Sequence, residues 1–252
     1  MPRKLSFVSA KGGTGKTSCV VNIGYELAMA GHSTLLIDFD PQANLTIHYG
    51  LDPTEERPTA LHAMRLPDKS AGAIVELRPK LDIIPANLAL AQSEYEFAAD
   101  PDRDIKLQSV VKMIERHYDF ILIDTPPTIG FFTSNALTAS NEAILPLQCQ
   151  FFAFKMLDII LTVIEKAQRV APDLRISAVV PTMYDARNSL SEPVVRAARE
   201  RFGELVTQTV IPVNIRIADA PMYGLPVAEH DPRATGAQAY QELTKEILRN
   251  GH

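Results

Sequence analysis

Residues 11 to 17 read Lys-Gly-Gly-Thr-Gly-Lys-Thr, a run of residue types suited to gripping phosphate. Gly12, Gly13 and Gly15 lack a Cβ, so the N–H groups around Thr14 can curl about anionic oxygens. Lys16 is spaced to reach β- and γ-phosphates, and Thr17 offers a hydroxyl to Mg²⁺. Ser18 adds a hydrogen bond toward an α-phosphate. Lys11 supplies a second ammonium, which can stabilise charge on a phosphoryl group in transfer. The pattern Gly-x4-Gly-Lys-Ser/Thr would begin at residue 10, where Ala10 stands, so Lys11 is a departure from it. The plain alternative is a glycine-rich turn between a strand and a helix. Two lysines bracketing three glycines, with Thr next, argue against that.

Two aspartate motifs follow. In TLLIDFDPQANLT, Pro41 stops a strand and keeps the chain before it extended, so Asp38 and Asp40 emerge at its end. Strand alternation turns both carboxylates to one side. One can hold a metal-bound water while the other orients an attacking water. In DFILIDTPPTIG an apolar strand ends in Asp124, which can accept hydrogen bonds from Mg²⁺-bound waters. The bland reading of all three is acidic residues capping loops.

The elements that must position these groups alternate. Strand-like runs lie at Leu5–Ser9, Thr34–Asp38, Leu81–Pro85, Phe120–Asp124, Ala143–Leu147, Ile176–Val180 and Val206–Ile211. Helical periodicity covers 16–30, 87–98, 104–117, 151–170, 191–202 and 234–249. Runs such as FILID and TLLID are apolar throughout, as parallel strands covered on both faces must be. The pattern predicts an α/β fold, a doubly wound, mostly parallel sheet with helices on both faces. In such sheets ligands bind beyond the carboxyl ends of the strands, where all three motifs fall.

The chain has 252 residues, 46% of them hydrophobic, and no Gly/Ser-rich, Pro-rich or like-charge linker, so residues 1–252 read as one domain. Cys19 and Cys149 are too few for a disulfide framework or a cysteine metal site. The N-terminus lacks the apolar length of a secretory signal, and no run approaches a membrane span, so a cytoplasmic location is expected. A net charge of −5 gives no global reason to bind nucleic acid. Any such site must be a local patch. Arg187, Arg196, Arg199, Arg201 and Arg216 outnumber Glu192, Glu200 and Glu204 between 187 and 216. Arg196 and Arg199 share a helix face, Ser191 reads as its N-cap, and composition alone gives a solvated helix whose arginines pair with Glu192 and Glu200.

The phosphate loop with Lys11, the segment Asp38-Phe39-Asp40-Pro41-Gln42 and the segment Asp124-Thr125-Pro126-Pro127 together resemble the ParA/MinD family of deviant Walker A ATPases, closest to short Soj-like ParA proteins. Segments from ALTASNEAILPLQCQFFAF to HDPRATGAQAY extend the resemblance over nearly the whole chain. It implies a P-loop fold, ATP with Mg²⁺, and a homodimer formed on ATP binding. In that dimer Lys11 reaches across to the partner's ATP and Asp40 positions the hydrolytic water, which leaves Asp38, with Asp124, to hold the metal through water. It further implies Pro212 and Asn214 at the adenine, and Arg187 and Arg216 on non-specific double-stranded DNA. A nucleoid-associated switch follows, its hydrolysis stimulated by a ParB-like or other cargo adaptor. Gln150 and Val213 depart from residues that relatives often have, an acidic one and a basic one. A MinD-like membrane switch would need a terminal amphipathic helix. Here Tyr240, Leu243 and Ile247 share a face that reads as a docked core helix, so no membrane is expected. Two scattered cysteines argue against a cluster-carrier ATPase, and no metabolite pocket for a dethiobiotin-synthase-like ligase is legible.

Overall fold

Thr34–Asp38 (β2) and Phe120–Asp124 (β5) are buried at every position, so both faces of the sheet need helical cover. A computed structural model describes residues 1–150 and 153–250 and shows how that cover is supplied. In the first half Arg3–Phe7 (β1) leads to Lys16–Met29 (α1), and β2 leads to Asn44–His48 (α2) and Ala60–Arg65 (α3). Val75–Arg78 (β3) and Leu81–Ile84 (β4) precede Ser93–Glu96 (α4), Lys106–Ile114 (α5) and β5. Then come Phe131–Thr138 (α6), Glu142–Gln148 (β6), Ala153–Gln168 (α7), Arg175–Thr182 (β7) and Ser191–Phe202 (α8). Ile215–Asp219 (α9), Val227–His230 (α10) and Thr235–Arg249 (α11) close the chain.

The sheet order is β3-β4-β2-β5-β1-β6-β7, parallel except for β3, which runs against β4 at the edge. This is the doubly wound α/β fold that the alternation predicts. Along β2, Leu36 faces the layer of α1 and α11, while Leu35 and Ile37 face that of α3, α5 and α6. Along β5, Leu122 turns to the first layer, and Ile121 and Ile123 to the second. Tyr240, Leu243 and Ile247 of α11 are buried in the first layer, so that helix spends its apolar face on the core. Gly24 lets α1 approach β2, since a Cβ there would stand 2.6 Å from Leu36 Cδ2. No helix among the described residues is long and apolar enough to cross a membrane.

Several expectations need correction. Val206–Ile211 is not a strand. It meets β7 at its two ends, through the single bridge of Val206 with Val179, where Thr207 N donates to Val179 O, and through Ile211 N, which donates to Pro181 O, without a continuous ladder between them. The amides of Gln208 and Thr209, which would extend a ladder, go instead to the Glu246 carboxylate of α11 at 2.6 and 3.1 Å. The stretch 87–98 splits into a 3₁₀ turn at Leu88–Gln92 and the short α4. Helix α7 begins at Ala153, and the first two residues of the expected 151–170 helix lie outside the described residues. β1 starts and ends two residues earlier than read, β7 is longer, and β3, α2, α3 and α6 had no counterpart in the sequence reading.

Candidate nucleotide site

In register, Phe7 of β1 lies beside Asp124 of β5, and Asp124 lies beside Asp38 of β2. The three motifs therefore meet at one edge of the sheet. Thr125 Oγ1 donates to Phe7 O at 2.6 Å and locks the ends of β5 and β1 together. Thr182 Oγ1, at the end of β7, donates to Thr14 O at 2.8 Å and pins the loop from the other side.

The loop has the backbone an anion cradle requires. Gly13 and Gly15 have φ of 72° and 86°, left-handed values that glycine adopts freely. Gly15 is the N-cap of α1, with no side-chain cap and no acidic residue in the first turn. The first amides of the 14-residue helix are thus left to an anion. Gly12 to Ser18 line a cleft of about 480 Å³ with Asp40, Gln42, Asn44, Ile47, His48, Thr125, Pro127, Met183 and Pro221. Met183, a non-glycine residue at φ 53°, lines the cleft, and Ala43, also at φ 53°, is buried between the lining residues Gln42 and Asn44, so the backbone is strained where the cleft is shaped.

Lys16 is 7% exposed and faces Asp124 and Asp40. Burial lowers its pKa from the ordinary lysine value, and the two carboxylates oppose that. Asp124 is fully buried; Thr17 Oγ1 donates to its Oδ2 at 2.6 Å, while Oδ1 has no partner. Burial, then the charge of Asp38 beside it, pushes the Asp124 pKa up to about 8. Thr14 Oγ1 is likewise buried without a partner. Orphaned polar atoms at both ends of one glycine cradle fit a nucleotide phosphate at Thr14 and a hydrated divalent cation at Thr17 and Asp124. Among the described residues no group of three or more His, Cys, Asp or Glu could hold a metal ion. Bound Mg²⁺ would screen charge between β- and γ-phosphate oxygens.

The two aspartates of the second motif separate. Asp40 lines the cleft, and its Oδ1 accepts from Gln42 N at 2.9 Å. Asp38, expected to hold the metal through water, instead stands behind Asp40, fully buried and off the cleft wall, because both its oxygens are taken by the chain. Its Oδ2 accepts from Thr46 N and Oγ1 at 2.8 and 2.6 Å, and its Oδ1 from Asp40 N at 3.2 Å. Both its oxygens thus fasten α2 and the Asp40 backbone to β2, despite burial raising its pKa to about 6. Gln42, Asn44, Ile47 and His48 were missed as cleft residues, though Gln42 and Asn44 lie in the quoted motif.

Lys11 lines the apolar hollow beside β6 and is absent from the cleft wall. Pro212 and Asn214 are also absent from the cleft wall. Asn214 caps α9 by accepting from Arg216 N at 2.8 Å, and its amide donates to Thr235 Oγ1 at 2.8 Å. Met183 and Pro221 form that end of the cleft, with Pro212 next to Met183's neighbour Tyr184.

The arginine patch is arranged differently. Val213 N donates to Tyr184 O, which sets the segments bearing Arg187 and Arg216 side by side. Arg187 is 88% exposed, but its guanidinium donates to both Asp185 oxygens at 3.0 and 2.9 Å. Arg216 lies 3.2 Å from Asp219 and 3.4 Å from Asp231. Arg196 and Arg199 do not pair with Glu192 or Glu200: Arg199 donates to Gln208 O, and Glu192 accepts from Tyr184. Ser191 is not the N-cap of α8 but its first residue, and its hydroxyl accepts from Asp185 N at 3.2 Å.

Fold and cleft define a P-loop ATPase that uses ATP and magnesium and releases ADP and phosphate. The profile of a family described as "AAA domain" matches residues 2–176. The "Chromosome partitioning protein ParA" of Caulobacter vibrioides is 39% identical over 98% of this chain and 94% of its own. The "Sporulation initiation inhibitor protein Soj" of Bacillus subtilis is 36% identical over the whole of both chains. Among solved structures, a cobyrinic acid a,c-diamide synthase from Mycobacterium smegmatis with bound ATP analog and magnesium superposes with a TM-score of 0.86. It is 32% identical over 99% of this chain and 95% of that one. The chain belongs to the ParA/MinD family of deviant Walker A ATPases and is similar to its Soj-like members.

Proposed function

We propose that this chain is an ATP-switched partitioning ATPase. ATP closes a homodimer, the dimer binds double-stranded DNA of any sequence on the nucleoid, and a cargo-bound adaptor of ParB-like or other kind stimulates hydrolysis and release. The observation that carries the reading is the division between the two lysines. Lys16 sits in the cleft of its own chain, whereas the Lys11 ammonium is turned to the tip of β6. A second copy's triphosphate gives Lys11 a partner that its own cleft does not.

Within each cleft, Gly12 to Gly15 and the α1 amides hold the phosphates, and Lys16 neutralises the β- and γ-oxygens. Thr17 and Asp124 hold Mg²⁺, Asp124 through water. Asp40 orients the attacking water, and Asp38 keeps Asp40 and α2 in place. Adenine packs at the Met183–Pro221 end, beside Pro212 and Asn214. Arg187 and Arg216 meet DNA phosphates, and dimer closure doubles the contacts. The cargo is a chromosome origin, a plasmid or a protein organelle.

The test is sedimentation with ATP or ADP, joined to a titration of double-stranded DNA at low and moderate salt. A dimer with ATP, DNA binding that needs ATP, and steep loss with salt are expected. A protein that stays monomeric with ATP, or that binds liposomes and ignores DNA, overturns the reading.

A further inference from the structure

Lys11 has specific partners in this chain. Its ammonium donates to Gln148 Oε1 and to Gln150 Oε1, each at 2.8 Å. Gln148 ends β6, and a tight turn in which Gln150 N donates to Gln148 O at 2.7 Å brings the second amide round to the same ammonium. Under Lys11 lies a hollow lined by Val8, Leu147, Met156, Leu157 and Ile160, which offers its alkyl stem an apolar floor. Stem and head are both provided for, so this is a defined resting place.

We infer that Gln148 and Gln150 are positioning residues that form a neutral parking site for Lys11, and that their lack of charge sets how readily ATP of a second copy draws the lysine away. The inference rests on the cross-subunit reading above. A glutamine carbonyl orients the ammonium by hydrogen bonding but contributes no net charge. A triphosphate contributes several negative charges, so it outcompetes two amides. A carboxylate at either position would add a Coulomb attraction to the parked state alone, and a ligand or contact that favours one state shifts the equilibrium toward it. Each half-exposed ion pair so created is worth up to about a fivefold factor. A symmetric dimer must release two lysines, so the factor enters twice, about 25-fold in all.

The experiment uses Gln148→Glu and Gln150→Glu in the full chain. Dimerisation is followed by sedimentation with ATP and by turnover against protein concentration. ATP affinity of the monomer is measured separately at high dilution. The Glu variants should shift the dimer Kd upward by about 10- to 25-fold while monomer ATP affinity stays within about twofold. Gln150→Ala should shift the dimer Kd downward, because it loosens the parked state. Each Glu substitution is also made in a Lys11→Ala background, where it should be silent if it acts through the lysine. Glu variants that dimerise like the parent, or that lose as much in the Lys11→Ala background, overturn the parking site. If Lys11→Ala itself dimerises and turns over like the parent, the cross-subunit reading has failed; a defective Lys11→Ala with unaffected Glu variants overturns the parking site alone.

Discussion

Thr14 Oγ1 and Asp124 Oδ1 lie buried in the cleft without a hydrogen-bond partner, whereas Arg187 and Arg216, out on the surface, are held by carboxylates of their own chain. The cleft keeps strong polar atoms unsatisfied, and folding tolerates this because a ligand completes them. Arg187 and Arg216 are instead already paired, and exposed ion pairs form and break at little cost. A cleft of this kind is committed to one ligand class. A surface of this kind can be switched, because its affinity depends on how many weak contacts are presented together.

The largest effects should come from the cleft. Lys16→Ala removes the buried cation aimed between Asp40 and Asp124, and ATP-dependent dimerisation should vanish, with turnover down at least about 100-fold. Sedimentation with ATP should show only monomer. A full-strength ATP dimer would mean that the cleft is not committed to phosphate. Asp40→Ala should lower turnover by about 100-fold while ATP binding survives, because the loss is confined to the water that Asp40 orients. A filter-binding assay should then find ATP-bound dimer accumulating on DNA. Normal turnover in this variant would move the role elsewhere, with Asp38 the first candidate.

What could be read from the sequence follows the same divide. The phosphate loop was legible because glycine backbone freedom, a lysine and a hydroxyl at fixed spacing leave few other uses. β2, β5, α8 and α11 were legible because burial on known faces dictates their periodicity. The edge strand β3, VELR, was not, since an edge carries too little buried surface to pattern it. Val206–Ile211 looked like a strand because nothing local reveals that Glu246 would take its amides. Asp38 and Asp40 looked equivalent by alternation, and only Thr46, eight residues on, separates them. The resting place of Lys11 was illegible for the same reason: Gln148 and Gln150 are 137 and 139 residues away.

A smaller effect tests whether the cleft is strained when nothing completes it. The Asp124 pKa in the fold is about 8, well above the ordinary carboxyl value of 3.8. The folded state therefore holds a proton that the unfolded state gives up, and stability falls as pH rises through that window. Asp124→Asn removes the penalty. In nucleotide-free, metal-free buffer its Tm should exceed that of the parent by about 2–4 °C at pH 8, and the gap should close toward pH 5. Mg²⁺-dependent turnover should fall in the same variant. A parent whose Tm is flat between pH 5 and pH 8 would show that the buried carboxylate is already satisfied.

The smallest effects belong to the arginine surface, and there the signs differ by residue. Arg187→Ala with Arg216→Ala should weaken DNA binding by about tenfold at low salt, equally for all sequences, and make the salt dependence shallower by about one counterion per lost contact. ATP turnover without DNA should not change. Arg187 and Arg216 must first leave Asp185, Asp219 and Asp231, so removing those carboxylates should act the other way. Asp219→Asn and Asp185→Asn should each strengthen ATP-dependent DNA binding by about two- to threefold, the size of an exposed ion pair. Arg196 on α8 is exposed and has no carboxylate within ion-pair distance among the described residues, so it has no such competition. Arg196→Ala should therefore cost at least as much as Arg187→Ala alone. A DNA titration at two salt concentrations decides each case. If the Asn variants bind no better and Arg196→Ala is silent, charge on this face is solvated surface, and the contrast between a committed cleft and a switchable face does not hold.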